Sequence, residues 1–200
     1  MKEFWDTRYS GSEYVYGTAP NAYLLAHHGL YRAGQRVLAV GDGEGRNGVW
    51  LASRGLSVTS VDFSQQALAK AQALAQHQGV ILETVWADLV GWKWPKGEFD
   101  HVISIYVHLP PAQRRQVHRS MLESLKPGGW LLLEAFHPEQ INYDSGGPRN
   151  PDMLYSSVML REDLVGAEFM ELAEVAVQLN EGPGHRGRAA VTRALIRRPE

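Results

Sequence analysis

The run Arg36-Val37-Leu38-Ala39-Val40-Gly41-Asp42-Gly43-Glu44-Gly45-Arg46-Asn47-Gly48 constrains the fold more than any other part of this chain. A short β-rich segment ends in alternating glycines and passes into a helical stretch, Val49 to Arg54. Without Cβ atoms, Gly41, Gly43 and Gly45 let the backbone turn sharply and approach a ligand closely. The N–H groups that open the following helix then face that ligand with positive partial charge. This is a nucleotide-type binding loop, and the remaining sequence must say which nucleotide it takes.

From residue 36 to residue 137 apolar character rises and falls in a βαβα rhythm, the pattern of a parallel sheet covered on both faces. Strands are expected at Arg36–Val40, Ser57–Asp62, Ile81–Ala87, Asp100–Ile105 and Trp130–Phe136. Helices are expected near Arg46–Arg54, Gln65–Gln78 and Pro111–Leu125, with another from Asn21 to Tyr31 ahead of the first strand. His137 to Pro151 is rich in Pro, Gly and Asn, and loops of that length usually cover a site or move. A short helix near Arg161–Leu164 follows. Two strands, Met170–Asn180 and Ala189–Arg197, then flank Glu181–Gly187 as a hairpin that closes the sheet with antiparallel pairing.

With no repeat, low-complexity segment or long linker, the chain reads as one domain in four parts. These are a cover segment and helix (1–35), a cofactor-binding core (36–137), a substrate-side loop and helix (138–168) and the hairpin (169–200). A net charge of −2 offers no attraction to nucleic acid or to an anionic membrane. The absence of cysteine excludes disulfides and thiolate chemistry, and no H-x-x-x-H spacing suggests a metal. There is no run of about 18 apolar residues and no signal-like h-region, so a cytoplasmic protein is expected.

Ligands of open parallel sheets bind beyond the carboxyl ends of the strands, where the strand order switches. At the second strand's end Asp62 can accept hydrogen bonds from ribose hydroxyls, and Phe63 can lie against an adenine face. At the third, Asp88 suits the adenine's exocyclic amine. The fourth strand, Phe99 to Ile105 with Tyr106 beyond it, would wall the other side. Either carboxylate alone could merely cap a helix or end a strand; their placement at consecutive strand ends is what points to a nucleoside. A dinucleotide competes, because Gly43-Glu44-Gly45-Arg46-Asn47-Gly48 satisfies G-x-G-x-x-G. The Lys126-Pro127-Gly128-Gly129 turn before the fifth strand and the lack of a second domain argue against an NAD-dependent oxidoreductase.

Together the Val37–Gly45 loop, Asp62, Asp88, the Phe99–Ile105 strand and Leu125–Glu134 resemble the class I S-adenosylmethionine-dependent methyltransferases. The opening Phe4-Trp5-Asp6-Thr7-Arg8-Tyr9 with Tyr16-Gly17-Thr18-Ala19-Pro20-Asn21, and Gly45-Arg46-Asn47, look like small-molecule methyltransferases, and the likeness is strongest to the tellurite-resistance and thiopurine methyltransferase group. The resemblance implies a Rossmann-like three-layer sandwich whose seven-stranded, mostly parallel sheet has an antiparallel last strand. It implies S-adenosyl-L-methionine as cofactor, with Gly41, Gly43 and Gly45 at its methionyl part and Asp62 at the ribose. Phe63 would meet the adenine, Asp88 and Leu89 its edge, and Ile105 would pack below the ring. Many class members carry an acidic residue two places before the first loop glycine. This chain has Ala39, so the ammonium must find another partner, with Asp42 and Glu44 nearby.

Transfer of a methyl from a sulfonium is an in-line displacement, driven largely by holding the nucleophile in line and excluding water. A protonated nucleophile needs a base, and His108 and His137, after the fourth and fifth strands, are the candidates. His27, His28, His77, His101, His118 and His185 belong to no constellation and are expected to be solvated or structural. Trp5 and Tyr9 are the best candidates to close over the cofactor. Tyr106, His137 and Arg149 are substrate-binding candidates, Arg149 as a cation for an anionic acceptor. A small-molecule acceptor is expected, a thiol or a tellurium or selenium oxyanion, or else the chain binds the cofactor without catalysis. The sequence leaves the oligomeric state open.

Overall fold

The computed structural model describes residues 2–200. Its seven strands are β1 (Arg36–Val40), β2 (Ser57–Asp62), β3 (Glu83–Trp86), β4 (Phe99–Ile105), β5 (Leu125–Phe136), β6 (Glu168–Glu181) and β7 (His185–Arg197). They form one sheet in the order β3-β2-β1-β4-β5-β7-β6. β1 pairs in parallel with both β2 and β4, so the strand order reverses at the end of β1, where the glycine loop begins. β7 runs against both its neighbours, pairing antiparallel with β5 and with β6. This is the expected seven-stranded sheet with an antiparallel last strand.

The helices are α1 (Lys2–Tyr9), α2 (Ala22–Ala26), α3 (Arg46–Ser53), α4 (Gln65–His77), α5 (Pro111–Ser124) and α6 (Ser157–Asp163). They cover both faces because successive strand residues point in opposite directions. Val37 and Ala39 of β1 join one core with Leu51 of α3 and Leu74 of α4. Leu38 and Val40 join the other with Val117 and Met121 of α5 and Leu160 of α6. Arg114, His118 and Asp163 fasten α5 to α6 through a buried ion cluster, with Arg114 Nε donating to Asp163 Oδ2 at 2.6 Å.

The expected elements differ from the observed ones where the backbone has local work to do. Asn21–Tyr31 is not one helix. Asn21 caps α2 by accepting from the N–H groups of Tyr23 and Leu24, and a 3₁₀ turn, His28–Leu30, follows His27. β3 starts at Glu83 rather than Ile81, and α6 begins at Ser157, where the Ser156 side chain accepts from Met159 N–H. β5 runs back through Lys126–Gly129, with its register to β4 shifting between Phe99 and His101. The hairpin turn shrinks to Gly182–Gly184. Glu181 and His185 therefore face each other as the last pair of the β6–β7 ladder. Docking on the N-terminal segment stabilises this extension, Gly184 N–H donating to Val15 O at 2.8 Å.

Candidate active site

The loop after β1 is drawn together by acidic side chains. Asp62, buried at the end of β2, accepts from Gly43 N–H at 3.0 Å and from Ser64 N–H at 2.9 Å. One carboxylate thus fixes the glycine loop and the entry to α4. Burial pushes its pKa above the ordinary carboxylate range, while those N–H groups favour its ionised form. Asp42 lies beneath the loop, accepting from Gly48 N–H and from Ser60 Oγ at 3.1 Å. Burial raises its pKa to about 7, against the hydrogen bonds from Ser60 and Gly48.

A cavity of about 810 Å³ opens at this point, beyond the carboxyl ends of the strands. Small-molecule sites typically enclose roughly 300–1,000 Å³. Among its lining residues are Gly41, Asp42, Gly43, Asp62, Phe63, Asp88, Leu89 and Ile105, all from strand ends or the loops that follow them. Asp88 is exposed and accepts from Val90 N–H at 3.0 Å. A Cβ on Gly41 would stand 2.7 Å from Val107 Cγ2, and one on Gly43 would stand 3.0 Å from the Tyr9 hydroxyl, so the cradle tolerates no side chain. Gly45 has a different task. It caps α3 at φ 83°, a Cβ there would lie 2.6 Å from Ala71 Cβ of α4, and it is not among the cavity-lining residues.

α1 and the segment after it form one wall. Trp5 and Tyr9 stack with ring centroids 5.5 Å apart, and both line the cavity. Asp6 accepts from Ser64 Oγ at 2.6 Å, while Glu44 accepts from Val15 N–H at 2.8 Å and meets Lys70 Nζ at 2.5 Å. Glu44 is therefore occupied in pinning the cover. The opposite wall comes from Tyr106, Phe136, Gly146 to Arg149 and His185. Tyr106 is the one described non-glycine residue with positive φ, 57°, and its ring stacks on Phe136 at 4.6 Å. Such backbone strain persists where the surroundings enforce it, and it clusters at functional sites.

The two histidines expected to supply a base are otherwise engaged. His108 lines the cavity, but its Nδ1 donates to Met153 O at 2.6 Å and its Nε2 accepts from Phe136 N–H at 3.2 Å. Burial, mainly, drives its pKa down to about 4. With both nitrogens bound to backbone, His108 braces the loop and has no free lone pair. His137 caps the 3₁₀ turn Pro138–Asn142, lies 3.3 Å from Glu174 and is not among the cavity-lining residues. Arg149 reaches the cavity with its guanidinium paired to Asp144 at 2.5 Å.

His185, set aside as solvated or structural, is instead buried in the cavity wall. Sequence reasoning missed it because its place depends on the length of the hairpin arms. The one available signal was the Glu181/His185 pairing across Gly182-Pro183-Gly184, hidden by reading the whole Glu181–Gly187 stretch as loop. His101 and His118 are buried, and His118 serves the α5–α6 ion cluster. Among the described residues no group of three or more His, Cys, Asp or Glu could hold a metal, and no helix is long and apolar enough to cross a membrane.

Strand order, antiparallel β7 and a cavity at the switch point agree with the fold that the resemblance implies. Residues 37–129 match the family model described as a methyltransferase domain. Over that segment the chain is similar to methyltransferases. Ribosomal RNA small subunit methyltransferase C of Chromohalobacter salexigens is 36% identical over 110 residues, 52% of this chain and 32% of that protein. Glycine/sarcosine N-methyltransferase of Halorhodospira halochloris is 33% identical over 121 residues, 56% of this chain and 42% of that one. The chain thus spans less than half the length of either relative.

Among solved structures, one from the conversion of a disulfide bond into a thioacetal group during echinomycin biosynthesis superposes with a TM-score of 0.82. It is 19% identical and covers 100% of this chain and 92% of that one. The N-methyltransferase NodS of Bradyrhizobium japonicum WM9, in complex with S-adenosylhomocysteine, gives 0.72 at 18% identity over 100% and 98%. TehB of Haemophilus influenzae gives 0.71 at 20% over 98% and 66%. At these identities the likeness is one of fold.

Proposed function

We propose that this chain transfers the methyl group of S-adenosylmethionine to a small-molecule nucleophile. One observation carries the reading: Asp62, Asp88 and the Gly41–Gly43 turn, from three separate strand ends, line a single cavity. The cavity fits the cofactor on its own terms. The cradle would be filled by a Cβ at Gly41 or Gly43, and Phe63, Leu89 and Ile105 offer an apolar shelf for a base. Asp62, fixed by the Gly43 and Ser64 N–H groups, lines the cavity and would accept from the ribose hydroxyls. Asp88 would take the adenine amine, and Asp42 is the carboxyl left for the ammonium. Gly45 acts only through the loop it shapes.

When bound, the cofactor supplies an electrophilic methyl on a sulfonium. The protein's own part is to hold the nucleophile in line and keep water out. Trp5, Tyr9 and Tyr16 close one side, while Tyr106, Phe136 and the Gly146–Arg149 loop close the other. Of the expected acceptors, a tellurium or selenium oxyanion has Arg8 and Arg149 in its favour, with Arg149 already paired to Asp144. A thiol has no dedicated partner there.

Calorimetry with S-adenosylhomocysteine and with NADH tests the cofactor. Binding of S-adenosylhomocysteine alone is expected, and binding of NADH alone would replace the reading with an oxidoreductase. Binding without turnover of any acceptor would favour a non-catalytic role.

A further inference from the structure

His185 is a histidine in the cavity wall that methyl transfer to an ionised nucleophile would leave without a task. It is 5% exposed and stands where Tyr16, Tyr106 and Phe136 meet, with ring centroids 4.3, 4.5 and 5.2 Å away. Its Nδ1 makes no hydrogen bond among the described residues, and Glu181 Oε2 lies 3.7 Å from it. Glu181 is itself held rigidly, accepting from Arg46 Nη2 at 2.9 Å and Asn21 Nδ2 at 3.0 Å. Burial opposes its ionisation, but His185 and Arg46 win and hold its pKa down to about 2.

A fixed anion beside Nδ1 favours the tautomer protonated there and leaves Nε2 basic. On the Nε2 side residue 146 is glycine. A Cβ there would come within 3.2 Å of Nε2 and 2.6 Å of Cδ2, so the glycine lets the 146–149 loop pack directly on that edge while His185 still lines the cavity, with no hydrogen bond to Nε2 among the described residues. Orphaned Nδ1, facing carboxylate and a cavity-lining ring whose Nε2 accepts no protein hydrogen bond together describe a base awaiting a proton.

We propose that His185, oriented by Glu181, is the general base for a neutral hydroxyl on an aromatic ring, a phenol lying against Tyr16, Tyr106 and Phe136. This rests on the methyltransferase reading and narrows its acceptor. Aromatic walls suit a flat ring, which gains from offset or edge-on contacts. A thiolate or oxyanion needs no base, whereas a phenol is protonated at neutral pH, its pKa being about 10. A cationic amine would meet Arg8 and Arg46 in the same cavity. In the transfer the acceptor's O–H bond breaks and its proton passes to His185 Nε2. The oxygen bonds to the methyl carbon as the carbon–sulfur bond breaks, its electron pair staying on sulfur. The products are an aryl methyl ether, S-adenosylhomocysteine and an imidazolium facing Glu181.

The groups around His185 suit this role. Burial lowers its pKa, Glu181 raises it, and Arg46 and Arg8 lower it, so the ring is neutral and able to accept a proton at pH 7. Burial raises the pKa of Tyr16 and Tyr106, keeping both phenols neutral, and His108, stacked on Phe136, is neutral as well.

The experiment has separable arms. Calorimetry first measures S-adenosylhomocysteine binding; failure there sinks the methyltransferase reading itself. Protein saturated with S-adenosylhomocysteine is then titrated with phenol, catechol and 4-nitrophenol, with glycine and 2-mercaptoethanol as comparisons. Binding of the phenols is expected. Binding confined to the amine or thiol, or no phenol binding by protein that holds S-adenosylhomocysteine, overturns the proposal.

Turnover with S-adenosylmethionine is then compared in wild type, His185→Gln and Glu181→Gln. His185→Gln should retain S-adenosylhomocysteine affinity within about threefold and lose about 10²-fold in kcat on catechol. The deficit should shrink to a few-fold on 4-nitrophenol, which ionises without help. An equal deficit on both acceptors would mean that His185 only packs. Should His185→Gln not fold, Glu181→Gln carries the same comparison, with a deficit of about 10-fold expected on catechol and a smaller one on 4-nitrophenol.

Discussion

Asp62 concentrates the site's demands in one side chain, since it holds the glycine loop and is proposed to bind the ribose as well. Asp62→Ala should weaken S-adenosylhomocysteine binding by about 1–3 kcal/mol, the cost of losing hydrogen bonds to a charged group. Calorimetry on the folded variant checks this, and unchanged affinity would place the ribose elsewhere. Asp42 gives a pH signature. Folding raises its pKa from an ordinary 3.8 to about 7, so the folded chain binds more protons than the unfolded one between those values. The stabilisation from its neutral form is complete below about pH 4 and is lost as pH rises through about 7. Asp42→Asn should escape that loss. Its stability relative to wild type, from urea unfolding at pH 4 to 8, should climb by up to about 1.4 kcal/mol per pH unit; a gap independent of pH would show that this carboxyl does not titrate there.

α3 and α4 meet closely at Gly45 and Ala71. A side chain at Gly45 must adopt a left-handed backbone and push against Ala71, so Gly45→Ala should cost about 1–3 kcal/mol or more. Adding Ala71→Gly should restore part of it, giving a coupling of at least about 0.5 kcal/mol in thermal or urea unfolding. Strictly additive losses would mean that the strain is backbone alone. Between α5 and α6, Asp163→Asn leaves buried Arg114 without its anion and should cost about 3–5 kcal/mol. The sheet and its crossover helices were legible because buried strands read as apolar runs and Ser64 and Gly79 mark the ends of α4. The hairpin turn was not. Gly, Pro and charge around residues 181–187 read as loop, and only docking against Val15 and Tyr16 shows the strands continuing through them. Asp62 and Asp88 could be placed because strand ends locate them. Glu181 and His185 could not, because their meeting is a consequence of register.

At the scale of the whole molecule, the cavity is enclosed by two segments far apart in sequence that lock onto each other. The N-terminal cover packs on the hairpin tip, where Gly182 admits no Cβ against Tyr16 and Val15, and on α4 through Asp6 and Glu44. A ligand that bridges these walls stabilises the closed arrangement by mass action. Saturating S-adenosylhomocysteine should therefore slow amide hydrogen exchange in residues 5–17 and 181–185 while leaving β1 and β4 nearly unchanged. The proposed adenosine contacts come from the strand ends, and the most direct test of their convergence is a crystal structure with S-adenosylhomocysteine bound. The ribose hydroxyls should lie on the Asp62 carboxylate and the adenine amine on Asp88, with the sulfur toward Tyr106. A ligand bound with neither carboxylate in contact, or held outside this cavity, would contradict the assignment of the site.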